Sequence, residues 1–111
     1  MLNRIVRFSK HGGPKVLQIV NESIHEPQKD EVRIKIKAIG LNQAEAMLRE
    51  GRYVASPNFP SRIGIEASGV IDAIGSNVSS WNIGDSVCAI PFLSWDKNDS
   101  WTADSINKYG V

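Results

Sequence analysis

P-S-R-I-G-I-E-A-S-G-V, residues Pro60 to Val70, sets one carboxylate, Glu66, between two glycines, Gly64 and Gly69. Glycine permits a positive φ or the close approach of another backbone or a ligand. A carboxylate among small and apolar neighbours is costly to bury without a partner. The run therefore reads as a loop-to-strand junction where a site can sit. The plain alternative is a structural junction with Glu66 in a salt bridge.

Working outward, Glu31 to Ile39 is the clearest strand. Val32, Ile34, Ile36 and Ala38 alternate with Arg33, Lys35 and Lys37, the period of a half-buried strand. One face is expected in a core and the other in solvent, with its cations solvated rather than gathered for phosphate. After Gly40 the rhythm changes. Gln43 to Glu50 is rich in helix formers. Asn42 is a candidate N-cap, Glu45 completes a capping box, and Gly51 is the stop. One short helix over about 43–51 follows from this. Ile5–Phe8 and Val16–Ile19 read as strands, with Ser9–Pro14 as a turn between them and Asn21–Asp30 as a loop. Downstream, Glu66–Ile74 and Ser86–Leu93 read as strands, separated by turns at Gly75–Asn77 and Trp81–Asp85. Ser94–Lys108 reads as a surface excursion bearing Trp95 and Trp101. The tally is about six strands and one helix, a mostly β barrel or folded sheet.

At 111 residues the chain holds one modest core. A net charge of +1 exerts no long-range pull toward nucleic acid or an anionic membrane. No apolar run approaches the ~20 residues of a membrane span, and Arg4 and Arg7 interrupt any signal-peptide core. The lone Cys88 excludes an internal disulfide and a multi-cysteine zinc site, and its apolar neighbours suggest a buried, inert thiol. A cytoplasmic location is expected. Neither a G-x-G-x-x-G turn nor a P-loop is present. His11 and His25 lack metal-ligand spacing.

Taken in order, several segments resemble the GroES-like N-terminal domain of the medium-chain dehydrogenase/reductase superfamily, in its zinc-independent quinone oxidoreductase and alcohol dehydrogenase-like branch. They are K-H-G-G-P-K-V-L at Lys10–Leu17, E-V-R-I-K-I-K-A-I-G-L-N at Glu31–Asn42, L-R-E-G-R-Y at Leu48–Tyr53, F-P-S-R-I-G-I-E-A-S-G-V-I at Phe59–Ile71 and G-D-S-V at Gly84–Val87. The resemblance implies a partly open GroES-like β-barrel over residues 1–111. The last barrel strands and the Rossmann cofactor domain would be missing beyond Tyr109-Gly110-Val111.

It also implies a role: the substrate side of an NADPH-dependent enzyme that reduces quinones or small carbonyls, incompetent as these residues alone. Zinc-using relatives carry a cysteine and a histidine where this chain has Asn42, within Leu41-Asn42-Gln43, and Ile65, so no zinc is expected. Asn42 matches an asparagine near cofactor and substrate, Tyr53 a tyrosine at the cleft mouth, and Glu66 the glutamate of the family's G-x-E motif. Glu66 is expected to pair with Arg62, Arg49 or Arg52, with Gly64 and Gly69 allowing tight backbone around it. No residue is singled out as catalytic. An unpaired sheet edge suggests a homo-oligomer. The alternative reading is a non-catalytic GroES-like module that binds or assembles through its edges.

Overall fold

The computed structural model describes residues 2–54, 56–89, 101–102 and 106–108, and the chain forms two compact units. The first comprises Met1–Ile24 and Leu41–Gly64, the second His25–Gly40 and Ile65–Val111.

In the first unit, β1 (Leu2–Phe8) is the middle strand of an antiparallel sheet between β2 (Gln18–Ser23) and β4 (Ser61–Arg62). Val6 stands opposite Ile19 and Phe8 opposite Ser61. The second strand lies later than the hydropathy suggests. Pro14 opens a 3₁₀ turn, Pro14–Val16, because its fixed φ suits a first helical position and it has no N–H to lose there. Gln18–Ser23 then pairs along β1, and the polar Asn21–Ser23, read as loop, become strand through backbone bonds. Phe8 is fully buried and meets Phe59 edge-on, ring centroids 5.7 Å apart.

Helix α1 (Gln43–Glu50) starts and stops where its end residues dictate. The Asn42 N–H donates to Glu45 Oε2 at 3.2 Å, the glutamate half of a capping box. Glu45 is buried. Gly51, at φ +79°, closes the helix. Its N–H reaches the Leu48 carbonyl at 3.2 Å and the Arg52 N–H reaches that of Met47 at 2.8 Å, the paired bonds of a Schellman motif.

Glu22 lies between two arginines, bonded to Arg7 and, at 3.3 Å, to Arg62 Nη2. The Arg7 hydrogen bond chiefly holds its carboxyl below the usual glutamate range, against the opposing effect of desolvation. A carboxyl depressed in the folded state stabilises above its unfolded pKa, near 4.3, and loses that contribution as pH falls through the folded value. Urea unfolding of Glu22→Gln and the wild type is expected to differ at pH 7. The difference should shrink steadily below about pH 4.3; one that stayed constant with pH would refute the ion-pair assignment.

In the second unit, β3 (Glu31–Ile39) and β5 (Ala67–Ile74) form the centre of an antiparallel sheet. It continues to β6 (Ser86–Ala89) and β8 (Ile106–Lys108) on one side and to β7 (Trp101–Thr102) on the other. The core is Val32, Ile71, Val87 and Ala89, with Ile34, Ile74, Val78 and Trp81 packed against it. Burial fades along β3: Val32 is buried, but Ile36 is 43% and Ile39 62% exposed. Register shifts at Arg33/Ile34 and Ile36/Ala38 break the alternation that a regular strand would keep. The basic face is also less free than its pattern suggests. Arg33 donates to Asp72 at 2.6 Å, to Glu26 at 3.0 Å and to the His25 carbonyl at 3.2 Å. The Asp72 bond, ahead of the weaker bond to Glu26, raises the Arg33 pKa despite partial desolvation.

Eight strands are formed among the described residues, against about six expected. β4, β7 and β8 span two or three residues each, too short to show a period of two. β7 and β8 fall within Ser94–Lys108, so that segment is not wholly a surface excursion. β7 pairs with Glu31 and Val32, and β8 with Val87–Ala89. Trp95 and the closing Tyr109-Gly110-Val111 lie outside the described residues, as does the end of the expected Ser86–Leu93 strand beyond Ala89. Neither sheet closes on itself among the described residues, and no helix is long and apolar enough to cross a membrane.

Candidate functional site

Asn42 sits at the N-terminal end of α1 with extended backbone, φ −130° and ψ 148°. The residue is half-buried, and its Nδ2 is buried without a hydrogen-bond partner. A buried polar group left unmatched costs about 1–3 kcal/mol. Such a group is unusual in a structural cap, and it marks Asn42 as a place where a ligand or a rotation of the carboxamide would relieve strain.

Tyr53 lies just past the other end of the helix. The residue is 43% exposed, and its hydroxyl bonds to no described residue. An eight-residue helix is roughly 12 Å long, so α1 holds Asn42 and Tyr53 apart, at its two ends. Both belong to the first unit, whereas Glu66 belongs to the second.

Glu66 immediately precedes β5 and is half-buried. Its arginine partners, expected from sequence, are engaged elsewhere. Arg62 holds Glu22, Arg49 donates to the Gly12 carbonyl at 3.1 Å and to Glu50 at 3.3 Å, and Arg52 reaches Glu50 at 2.5 and 2.8 Å. The Glu66 carboxylate makes no hydrogen bond or ion pair to a described residue. It instead rests on Gly40: a Cβ there would stand 1.7 Å from Oε1 and 2.4 Å from Cδ. The backbones also meet, Gly40 N–H to the Glu66 carbonyl at 3.4 Å. Gly40 was not legible as part of the site, because its contact with Glu66 is long-range and leaves no local pattern.

Gly64 has φ +122° and open space where a side chain would project, while Gly69 presses on the Lys35 carbonyl of β3. Cys88 is only partly buried. No three His, Cys, Asp or Glu among the described residues are grouped to hold a metal ion.

The sequence matches the alcohol dehydrogenase GroES-like domain over residues 28–109, and the chain belongs to that family. Its relatives are quinone-oxidoreductase-like medium-chain dehydrogenases/reductases. Quinone oxidoreductase 1 of Escherichia coli (strain K12) is 40% identical over 82 residues, covering 74% of this chain and 25% of its own length. The solved E. coli quinone oxidoreductase, complexed with NADPH, matches 97% of this chain and 33% of its own, with TM-score 0.87 and 32% identity. The human synaptic vesicle membrane protein VAT-1 homolog-like protein matches 99% of this chain and 35% of its own, with TM-score 0.88 and 30% identity. The chain thus spans a quarter to a third of the length of these relatives.

Proposed function

We propose that these residues form the substrate-side domain of a zinc-independent, NADPH-dependent oxidoreductase acting on quinones or small carbonyls. The observation that carries the reading is the buried, unmatched Asn42 carboxamide at the start of α1. It is a donor held without a partner, and it suits a cofactor ribose or a substrate carbonyl once its amide turns. NADPH, when bound, supplies the hydride. Tyr53 offers a ring face to stack on a flat quinone and a hydroxyl to donate. Glu66, in the second unit, has its carboxylate set against Gly40, where a side chain would clash with it. Asn42 and Ile65 stand where zinc-using relatives carry a thiolate and an imidazole, so the residues do not fit a catalytic zinc. The quinone oxidoreductase relatives, one of them complexed with NADPH, support the same reading.

Residues 1–111 alone hold only one wall of such a site. Positioning both reactants accounts for about 7–11 kcal/mol of a barrier, so NADPH oxidation with a quinone by this chain is expected to stay at the uncatalysed rate. Rapid turnover by the purified, metal-chelated 111-residue chain would overturn the division of labour.

A second reading, a non-catalytic module that assembles through a sheet edge, is favoured by one observation. From Lys35 to Ile39 every residue of β3 is exposed, and β5 is its only strand partner there among the described residues. Open edges with apolar side chains invite strand pairing. Sedimentation is expected to show mass rising with concentration; a constant monomer at high concentration would remove this reading.

A further inference from the structure

One side chain, His11, meets a residue on each side of Tyr53 in the chain. The His11 ring faces the empty Cβ position of Gly51, with its atoms 3.1–3.3 Å from where that carbon would be. The same ring meets Phe59 edge-on, centroids 5.1 Å apart. Gly51 and Phe59 bracket the segment containing Tyr53. Phe59 is in turn anchored on the fully buried Phe8.

His11 is itself tied to the end of α1. Its Nδ1 lies 3.3 Å from the Arg49 carbonyl. A carbonyl only accepts, so this bond selects the tautomer with the proton on Nδ1. The Gly12 N–H donates to the same carbonyl at 3.0 Å, and Arg49 Nε returns a bond to the Gly12 carbonyl at 3.1 Å. The imidazole thus has its Nδ1 bonded and its ring set against Gly51 and Phe59, although the residue as a whole is exposed.

We propose that His11 is a positioning residue for Tyr53: its ring packs on Gly51 and Phe59, on either side of Tyr53 in the chain, and so fixes where the Tyr53 side chain stands. This rests on the reading of Tyr53 as a cleft residue, and goes beyond it by assigning the tether. The ring packing carries the effect, and the Nδ1–H bond orients the ring.

The test is native-state amide exchange and NMR on the 111-residue chain. In His11→Ala, exchange at Gly51 and Arg52, whose N–H groups close the helix end, is expected to accelerate by roughly ten-fold. The Tyr53 ring resonances should shift and broaden, while amides of Gly69 and Val70 in β5 keep their protection. His11→Phe keeps a ring against Gly51 and Phe59 and is expected to restore most of the Tyr53 signal. His11→Asn keeps a donor without the ring and is not. Three results would overturn the proposal: unchanged exchange and Tyr53 shifts in His11→Ala; acceleration spread evenly over both units; or a His11→Phe chain that behaves like His11→Ala. None of these measurements contains a quinone. Failure of the tether is therefore read separately from failure of Tyr53 to bind one.

Discussion

Truncating Ile71 to alanine is expected to remove about 4 kcal/mol of folding stability. Ile71 is fully buried at the centre of β5, surrounded by Val32, Val87 and Ala89. Its backbone is fixed as well: the Ile71 N–H donates to the Asp85 carbonyl at 3.0 Å and its carbonyl accepts from Gly84 N–H at 2.9 Å. The strand therefore cannot slide in to fill the space. The lost transfer energy and the residual cavity both count, and large-to-small changes at such sites cost about 2–5 kcal/mol. Against a total of about 5–15 kcal/mol for a small domain, that is a large share. Urea unfolding should show a strongly lowered midpoint for Ile71→Ala and a loss near 1 kcal/mol for Ile71→Val. A loss below about 1 kcal/mol for the alanine variant would mean that the core lies elsewhere.

Gly69→Ala is expected to cost about 3 kcal/mol, through crowding rather than a void. A Cβ at Gly69 would sit 2.1 Å from the Lys35 carbonyl oxygen and 2.9 Å from Ile34 Cγ2. The first of these is backbone in the neighbouring strand, so no rotamer change removes the clash. Relief requires β3 and β5 to part between Lys35 and Gly69, where the ladder is continuous with the pairs Lys35↔Val70 and Ile36↔Gly69. Gly64→Ala makes the comparison: it meets no atom within 4 Å, and only its φ of +122° opposes it, at roughly 1–2 kcal/mol. Equal midpoints for Gly69→Ala and wild type would contradict the β3–β5 register.

What could be read from the sequence had local causes. Asn42, Glu45 and Gly51 each act within one helical turn of α1, so the helix over about 43–51 was legible, and Gly51 proves to be its cap. The β3 strand was legible from its alternation, but the loss of burial after Ile34 was not, because register shifts are set by the partner strand. Val16 belongs to the turn that Pro14 opens, although its apolar character favours a strand. β4, β7 and β8 exist through pairing alone. For the site, only resemblance marks Asn42, Tyr53 and Glu66, and nothing local in the sequence encodes their surroundings. The contact of Glu66 with Gly40, the diversion of Arg62 to Glu22, and the grip of His11 on Gly51 and Phe59 all join residues distant in the chain.

Asn42 and Tyr53 are the residues proposed above to meet a quinone. Titrating 1,4-naphthoquinone into the isotopically labelled chain, while following the Asn42 side-chain amide and the Tyr53 ring, puts that proposal to the test. Saturable shifts of both are expected, unaffected by a metal chelator and with the Tyr53 response abolished in Tyr53→Leu. Shifts confined to other residues, or none at quinone concentrations up to solubility, would contradict it.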